Sequence, residues 1–219
     1  MSFQVVCISR TLAAGGEIVG QAVAQRLGFH YMDREIVGRA AERAKVDPSV
    51  VAAAEHRQPL IRRLIEAIGV AQVLADPAGF SSGIPTESYY APGLTPLPAL
   101  PEDYRALIRE TIQEIANRGQ AVIVAHAASL ALLGRQDVLR VFITASPETR
   151  ARRLVAAGHV RDESEAATIV AQSDRERREY IRSFYKIKEE LPTHYDLVIN
   201  TDVLTFEQAE HLVLSAFED

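Results

Sequence analysis

Ser9, Arg10, Gly15, Gly16 and Glu17 fall within one short stretch, SRTLAAGGEIVGQ. It follows a brief apolar run and precedes a helical pattern. That is the setting in which backbone N–H groups at a helix start can hold an anion. Gly15 and Gly16 would let the backbone approach closely. Arg10 can face a phosphate or simply lie at the surface. No lysine stands in the loop, and Glu17 brings a negative charge to where the anion would lie. On these residues alone a phosphate loop and a plain glycine turn both stand open.

Further along, Arg150, Arg152 and Arg153 cluster within four residues. Cations placed at a migrating phosphoryl group are the main help a protein gives to its transfer. Asp174 and Arg177 are spaced i,i+3 on a charged helical pattern, with Arg178 at i+4. They suit either an anion site or an ordinary solvated ladder of ion pairs. His126 ends an apolar run, where it can donate to a phosphate, act as a base, or serve as a satisfied polar residue. No His or Cys partner stands near it at metal-ligand spacing, so no metal site is expected. Tyr89 and Tyr90 can stack on a base, or make a loop-tip or subunit contact. Cys7 is the one cysteine, which excludes a disulfide framework and fits a buried thiol.

The composition fits a single globular domain over residues 1–219: 47% of residues are hydrophobic and 24% charged. No apolar run approaches a membrane span, and the start of the chain does not read as a signal peptide, so a cytoplasmic protein is expected. A net charge of −5 argues against nucleic acid as a partner. The charge is uneven, however. Residues 135–188 hold 12 Lys and Arg against 8 Asp and Glu, a local excess of four positive charges. A basic region on an acidic chain points to a small anionic ligand.

Elements that position these residues read clearly. The runs at 4–9, 29–32, 121–125, 139–144 and 195–200 are short, apolar and rich in Val and Ile, as buried strands are. Helical patterns separate them at 15–27, 34–45, 48–75, 102–118, from Pro147, over 163–190 and at about 205–217. The alternation predicts an α/β fold, a parallel sheet between helical layers, with ligands beyond the C-terminal strand ends. Asp33 would sit at that edge. Residues 76–101 carry six of the ten prolines and form a long loop.

Several segments together resemble the cytidylate kinase-like family, a branch of the P-loop nucleoside monophosphate kinases. ISR with GG (8–16) resembles the family's S-R-x-x-G-S-G-G loop, and GFHYMDREIVGRAAE (28–42) its second strand and Y-D-R-E segment. VFITASPETRARRL (141–154), SDRERREYIRSFY (173–185) and YDLVINTDVLTFEQA (195–209) resemble its fourth strand with the arginine-bearing helix, its D-x-x-R helix, and its closing strand and helix. The resemblance implies a three-layer α/β/α fold with a five-stranded parallel sheet. It implies a helical monophosphate-binding and proline-rich insertion within 33–101 and an arginine-rich lid within 147–190. It also implies a kinase that moves the γ-phosphoryl of ATP, with Mg²⁺, to a pyrimidine nucleoside monophosphate. Ser9, Arg10, Gly15, Gly16 and Glu17 would then hold the donor. Asp33, Arg34, Arg39 and His126 would hold the acceptor. Arg150, Arg153, Asp174 and Arg177 would serve transfer, with the lid arginines facing Gly15 and Gly16. The chain departs from the family at Glu17, where an arginine is common, at Ala13 and Ala14, and at AHAA (125–128) in place of G-R-G-A. A catalytically degenerate nucleotide-binding or regulatory protein on the same fold is the alternative. A homodimer covering the proline-rich loop is one assembly this reading admits.

Overall fold

The computed structural model describes residues 2–33, 35–45, 48, 51, 101–124 and 127–218. Most of the expected 33–101 insertion lies outside these residues, with the 48–75 stripe, Tyr89 and Tyr90 among it.

The five apolar runs form five strands: β1 (Val5–Arg10), β2 (His30–Met32), β3 (Ala121–Ile123), β4 (Val138–Thr144) and β5 (Leu197–Asn200). All pairings are parallel, in the order β2-β3-β1-β4-β5. β1 therefore lies at the centre, so its C-terminal end opens between two neighbours. The helices are α1 (Gly16–Leu27), α2 (Glu35–Ala44), α3 (Pro101–Arg118), α4 (Ala128–Ala131), α5 (Pro147–Ala156), α6 (Glu163–Tyr185) and α7 (Phe206–Glu218).

Alternation along β1 divides the core in two. Val5 and Cys7 face α2 and α3, packing with Ile36, Ala40, Ile108 and Ile112. Val6 and Ile8 face α1 and α7, packing with Val19, Val23, Ala209 and Val213. This is the expected three-layer α/β/α arrangement. Cys7 is fully buried, and that burial pushes its thiol far above the ordinary value.

A third apolar cluster joins the loop after β1 to α5 and α6. Leu12 and Ala13 pack there against Ala151, Leu154, Ala166 and Val170. The basic segment is thus docked on the glycine loop by apolar contacts. Each helix of that pair starts on its own cap. Ser146 Oγ accepts from Thr149 N, one residue ahead of Pro147, and Asp162 Oδ1 accepts from Glu165 N.

The strand expected at 195–200 begins at Leu197, a short helix not expected forms at Ala128–Ala131, and one helix end differs by more than a turn. The long charged helix ends at Tyr185, not at 190. Lys186 adopts a left-handed conformation, φ 59°, and the chain turns back. Ile187 then packs with Leu130 and Ile181, so apolar burial outweighs the helical propensity of the charged residues beyond.

Candidate functional site

The loop between β1 and α1 has two residues with positive φ, Ala13 at 59° and Gly15 at 87°. Gly15 is obligatory for two reasons. Its φ is left-handed, and a Cβ there would overlap the Phe206 ring. The loop carbonyls are held from behind. Ala13 O accepts from Arg153 Nη1 at 3.1 Å, and Ala14 O accepts from Thr201 Oγ1 at 2.9 Å. Arg153 continues to Thr201, donating to its Oγ1 at 3.0 Å and its carbonyl at 2.6 Å, and its guanidinium lies 5.0 Å from the Phe206 ring centre. Burial, the largest influence, lowers the Arg153 pKa from its ordinary value. With two carbonyls tied back, the start of α1 presents N–H groups that no side chain caps. A helix N-terminus at the C-terminal end of a central strand is a place for an anion.

The loop's own charges balance. Arg10 Nε lies 2.5 Å from Glu17 Oε1, and both side chains are mostly buried. Arg10 Nε is sealed from solvent, yet its N–H makes no aligned hydrogen bond. The contact is therefore an ion pair by distance and not a well-directed bond. The stem of Arg10 crosses Gly16, where a Cβ would come within 2.7 Å of Arg10 Cβ. Glu17, expected to weaken anion binding by repulsion, here engages the loop's one cation directly.

Each arginine of the basic segment makes contacts of its own. Arg150 is 3% exposed and forms a two-toothed pair with Asp174, at 2.8 and 2.6 Å, while its Nε donates to Ala145 O at 3.0 Å. Arg153 alone of the three reaches the glycine loop. Arg177 lies over Phe142, 5.4 Å from its ring centre, and pairs with Glu190 at 2.9 and 2.5 Å. Phe142 aligns with Ser9 in the sheet, on the α3 side and away from α1. Burial works to lower the Arg177 pKa, and the Glu190 carboxylate outweighs it, so the net shift is upward. Glu190 also accepts a short hydrogen bond from the Tyr195 hydroxyl. Burial first, then Glu190, raises that phenol. Tyr195 stacks on Phe142 with ring centres 5.0 Å apart.

Ser9 is 4% exposed, and its hydroxyl donates to Ser129 Oγ at 3.2 Å, not into the loop. Asp33 follows β2 directly, and its carbonyl accepts from Ile36 N at 3.4 Å as α2 begins. Arg39 lies on α2. Arg34 and His126 lie outside the described residues. Among the described residues, no group of three or more His, Cys, Asp or Glu side chains could hold a metal ion. No described helix is long and apolar enough to cross a membrane.

Some residues at the site carried no individual signal in the sequence. Arg105 and Arg109 on α3 place their guanidinium groups 5.6 and 6.0 Å from the Phe184 ring centre. Arg105 Nε is buried without a hydrogen-bond partner, an orphaned donor on the α3 side of the sheet. Its position on a charged helix did not separate it from its neighbours. Thr201 and Phe206 fall in a stretch the sequence marks, but their contacts with the loop are made only by folding. Together with Arg153, Leu204 and Thr205, Phe206 lines a shallow recess of about 260 Å³ beside the loop.

Comparison with known proteins agrees with this geometry. Residues 5–203 match the model of the cytidylate kinase-like family. A cytidylate kinase of Sinorhizobium medicae (strain WSM419) is 26% identical over 153 residues, 70% of this chain and 66% of that enzyme, just under two thirds of its length. A crystal structure of an uncharacterized protein from Eubacterium ventriosum ATCC 27560 superposes with a TM-score of 0.63 at 16% identity, covering 98% of each chain. It shares the fold. Shikimate kinase from Bacteroides thetaiotaomicron aligns more loosely, with a TM-score of 0.49 at 16% identity over 98% of each chain.

Proposed function

Because this chain belongs to the cytidylate kinase-like family, we propose that it binds ATP at the start of α1 and moves its γ-phosphoryl to a pyrimidine nucleoside monophosphate. The observation that carries this reading is the loop Thr11–Gly15, whose carbonyls are tied back by Arg153 and Thr201 ahead of an uncapped helix start. Mg²⁺ would arrive with the triphosphate as part of the substrate. In the reaction, an oxygen of the acceptor phosphate attacks the γ-phosphorus, the bond from that phosphorus to the bridging oxygen breaks, and ADP leaves with the electron pair. The protein's part is to place the two phosphates and offset their charge. Asp33, Arg34, Arg39 and His126 are proposed for the acceptor, and Arg105, whose buried Nε lacks a hydrogen-bond partner, joins them. A cytoplasmic setting accords with this substrate pair.

A second reading has its own observation. Arg10, Arg150 and Arg177 each already face a carboxylate: Glu17, Asp174 and Glu190. A chain that keeps its arginines paired can bind nucleotide without transferring phosphoryl, as a regulatory protein does. Two measurements separate the readings. Thermal unfolding is followed with nucleoside mono-, di- and triphosphates, with and without Mg²⁺; a ligand at 100 times its Kd adds about 2.7 kcal/mol. ADP release is then followed with ATP and CMP, UMP or AMP as acceptor. Stabilisation by ATP with ADP release on CMP or UMP supports transfer. Stabilisation with no release on any acceptor supports the regulatory reading. No stabilisation by any nucleotide removes both.

A further inference from the structure

The Arg10–Glu17 pair carries an inference that rests on nucleotide binding at the loop and concerns which phosphates can enter. Arg10 is the last residue of β1, at the mouth between β3 and β4, and its stem lies across Gly16. Glu17 is the second residue of α1, the turn where an incoming phosphate would meet backbone N–H groups. Their contact, 2.5 Å between Arg10 Nε and Glu17 Oε1, is close but poorly aligned. The only basic side chain of the loop is therefore already paired, with a carboxylate in the first turn of α1.

We propose that Glu17 is a resident stand-in for phosphate and sets a charge threshold at the loop. A ligand binds there only by displacing the carboxylate from Arg10. The cost of opening the pair is the same for every anion, whatever its charge. It favours a ligand that brings several charges at once, which engages Arg10 and the α1 N-terminus together. Inorganic phosphate leaves the pair closed; a polyphosphate opens it. The acid next to the phosphate site thus sets the affinity that an anion must exceed, working through Arg10.

The test compares inorganic phosphate, pyrophosphate and tripolyphosphate by calorimetry at one ionic strength. The full chain is used in four forms: unchanged, Glu17→Gln, Arg10→Ala, and the double variant. Far-ultraviolet circular dichroism and thermal unfolding confirm that each variant is folded. The proposal expects Glu17→Gln to tighten all three anions by about tenfold, the scale of one charge-assisted pair, because the cost of freeing Arg10 is common to them. It expects the gain to vanish in the double variant, because Glu17 acts through Arg10. If the tightening grows with the charge of the ligand, and persists with Arg10 absent, Glu17 only repels anions and the threshold is wrong. If the unchanged chain binds tripolyphosphate and Glu17→Gln changes nothing, the threshold is wrong while nucleotide binding stands. If no form binds tripolyphosphate or ATP, the nucleotide-binding reading falls together with it.

Discussion

Arg150 and Asp174 close on each other with two parallel hydrogen bonds, joining α5 to α6 while Arg150 Nε holds the carbonyl at the end of β4. Two residues that the family resemblance assigns to phosphoryl transfer thus form a clamp between three elements. Removing Asp174 alone leaves a guanidinium that is 3% exposed facing one carbonyl. Asp174→Ala is expected to cost about 3 kcal/mol, the low end for breaking a buried pair, since Asp174 is itself 23% exposed. Arg150→Met with Asp174→Leu is expected to recover most of it. Urea midpoints, compared at equal slope, check both outcomes.

Gly15 and Gly28 give a matched comparison. Both have left-handed φ, 87° and 67°, but only Gly15 faces a neighbour that a Cβ would strike. Gly28→Ala is expected to cost about 1–2 kcal/mol, the conformational part alone. Gly15→Ala is expected to cost clearly more, because Phe206 must also move. If the two variants unfold at the same temperature, Phe206 is not tightly seated on the loop.

Thr201 is 1% exposed and donates to Ala14 O, while receiving Arg153 at its own oxygen. Thr201→Val keeps the volume and removes both roles. It is expected to cost about 1–3 kcal/mol of stability, as a buried carbonyl and a guanidinium donor lose a partner. It is also expected to weaken ATP binding severalfold by loosening the loop. Thermal unfolding and calorimetry with ATP read the two effects separately. ATP affinity unchanged in a destabilised Thr201→Val would mean that the strut serves stability alone.

Asp196 supplies a pH test. Burial acts to raise its pKa, and the side-chain and backbone hydrogen bonds from Arg140 outweigh that, so its folded value lies below the ordinary 3.8. The folded state therefore holds the proton less tightly than the unfolded chain. Its stabilisation is fully present above pH 3.8 and is lost as pH falls through the lower folded value. Asp196→Asn should be less stable than the unchanged chain at neutral pH, and the gap should shrink as pH falls below 3.8. A gap that stays constant through the acid range would show that the charge of Asp196 contributes nothing.

The sheet was legible because each buried strand leaves a short run of Val and Ile, and the helices between them force parallel neighbours. The glycine loop was legible for the same local reason: a turn between strand and helix needs Gly15. What the arginines do was not legible, because charge pattern says where a cation lies along the chain and not which carboxylate it meets. Arg177 and Glu190 are 13 residues apart; on one continuous helix about 20 Å would separate them. They meet because Lys186 turns the chain with a left-handed φ, a conformation its residue type does not advertise. Arg10 and Glu17 were both noticed, but their pairing depends on how the stem of Arg10 crosses Gly16.

The strut from Thr201 and Phe206 to the glycine loop has a consequence for how the chain is made. The loop leaves the ribosome well ahead of Thr201, since the bond from Thr201 to Ala14 spans 187 residues. Until that distant segment has emerged, the carbonyl of Ala14 lacks its partner and Gly15 has no ring against it. A nascent chain stalled before residue 201 can pair β1 with β3 and β4, but its loop has only the basic segment behind it. Ligand competence then arrives with the last strand and helix of the domain, so ATP cannot assist the early steps of folding and can only lock the finished one.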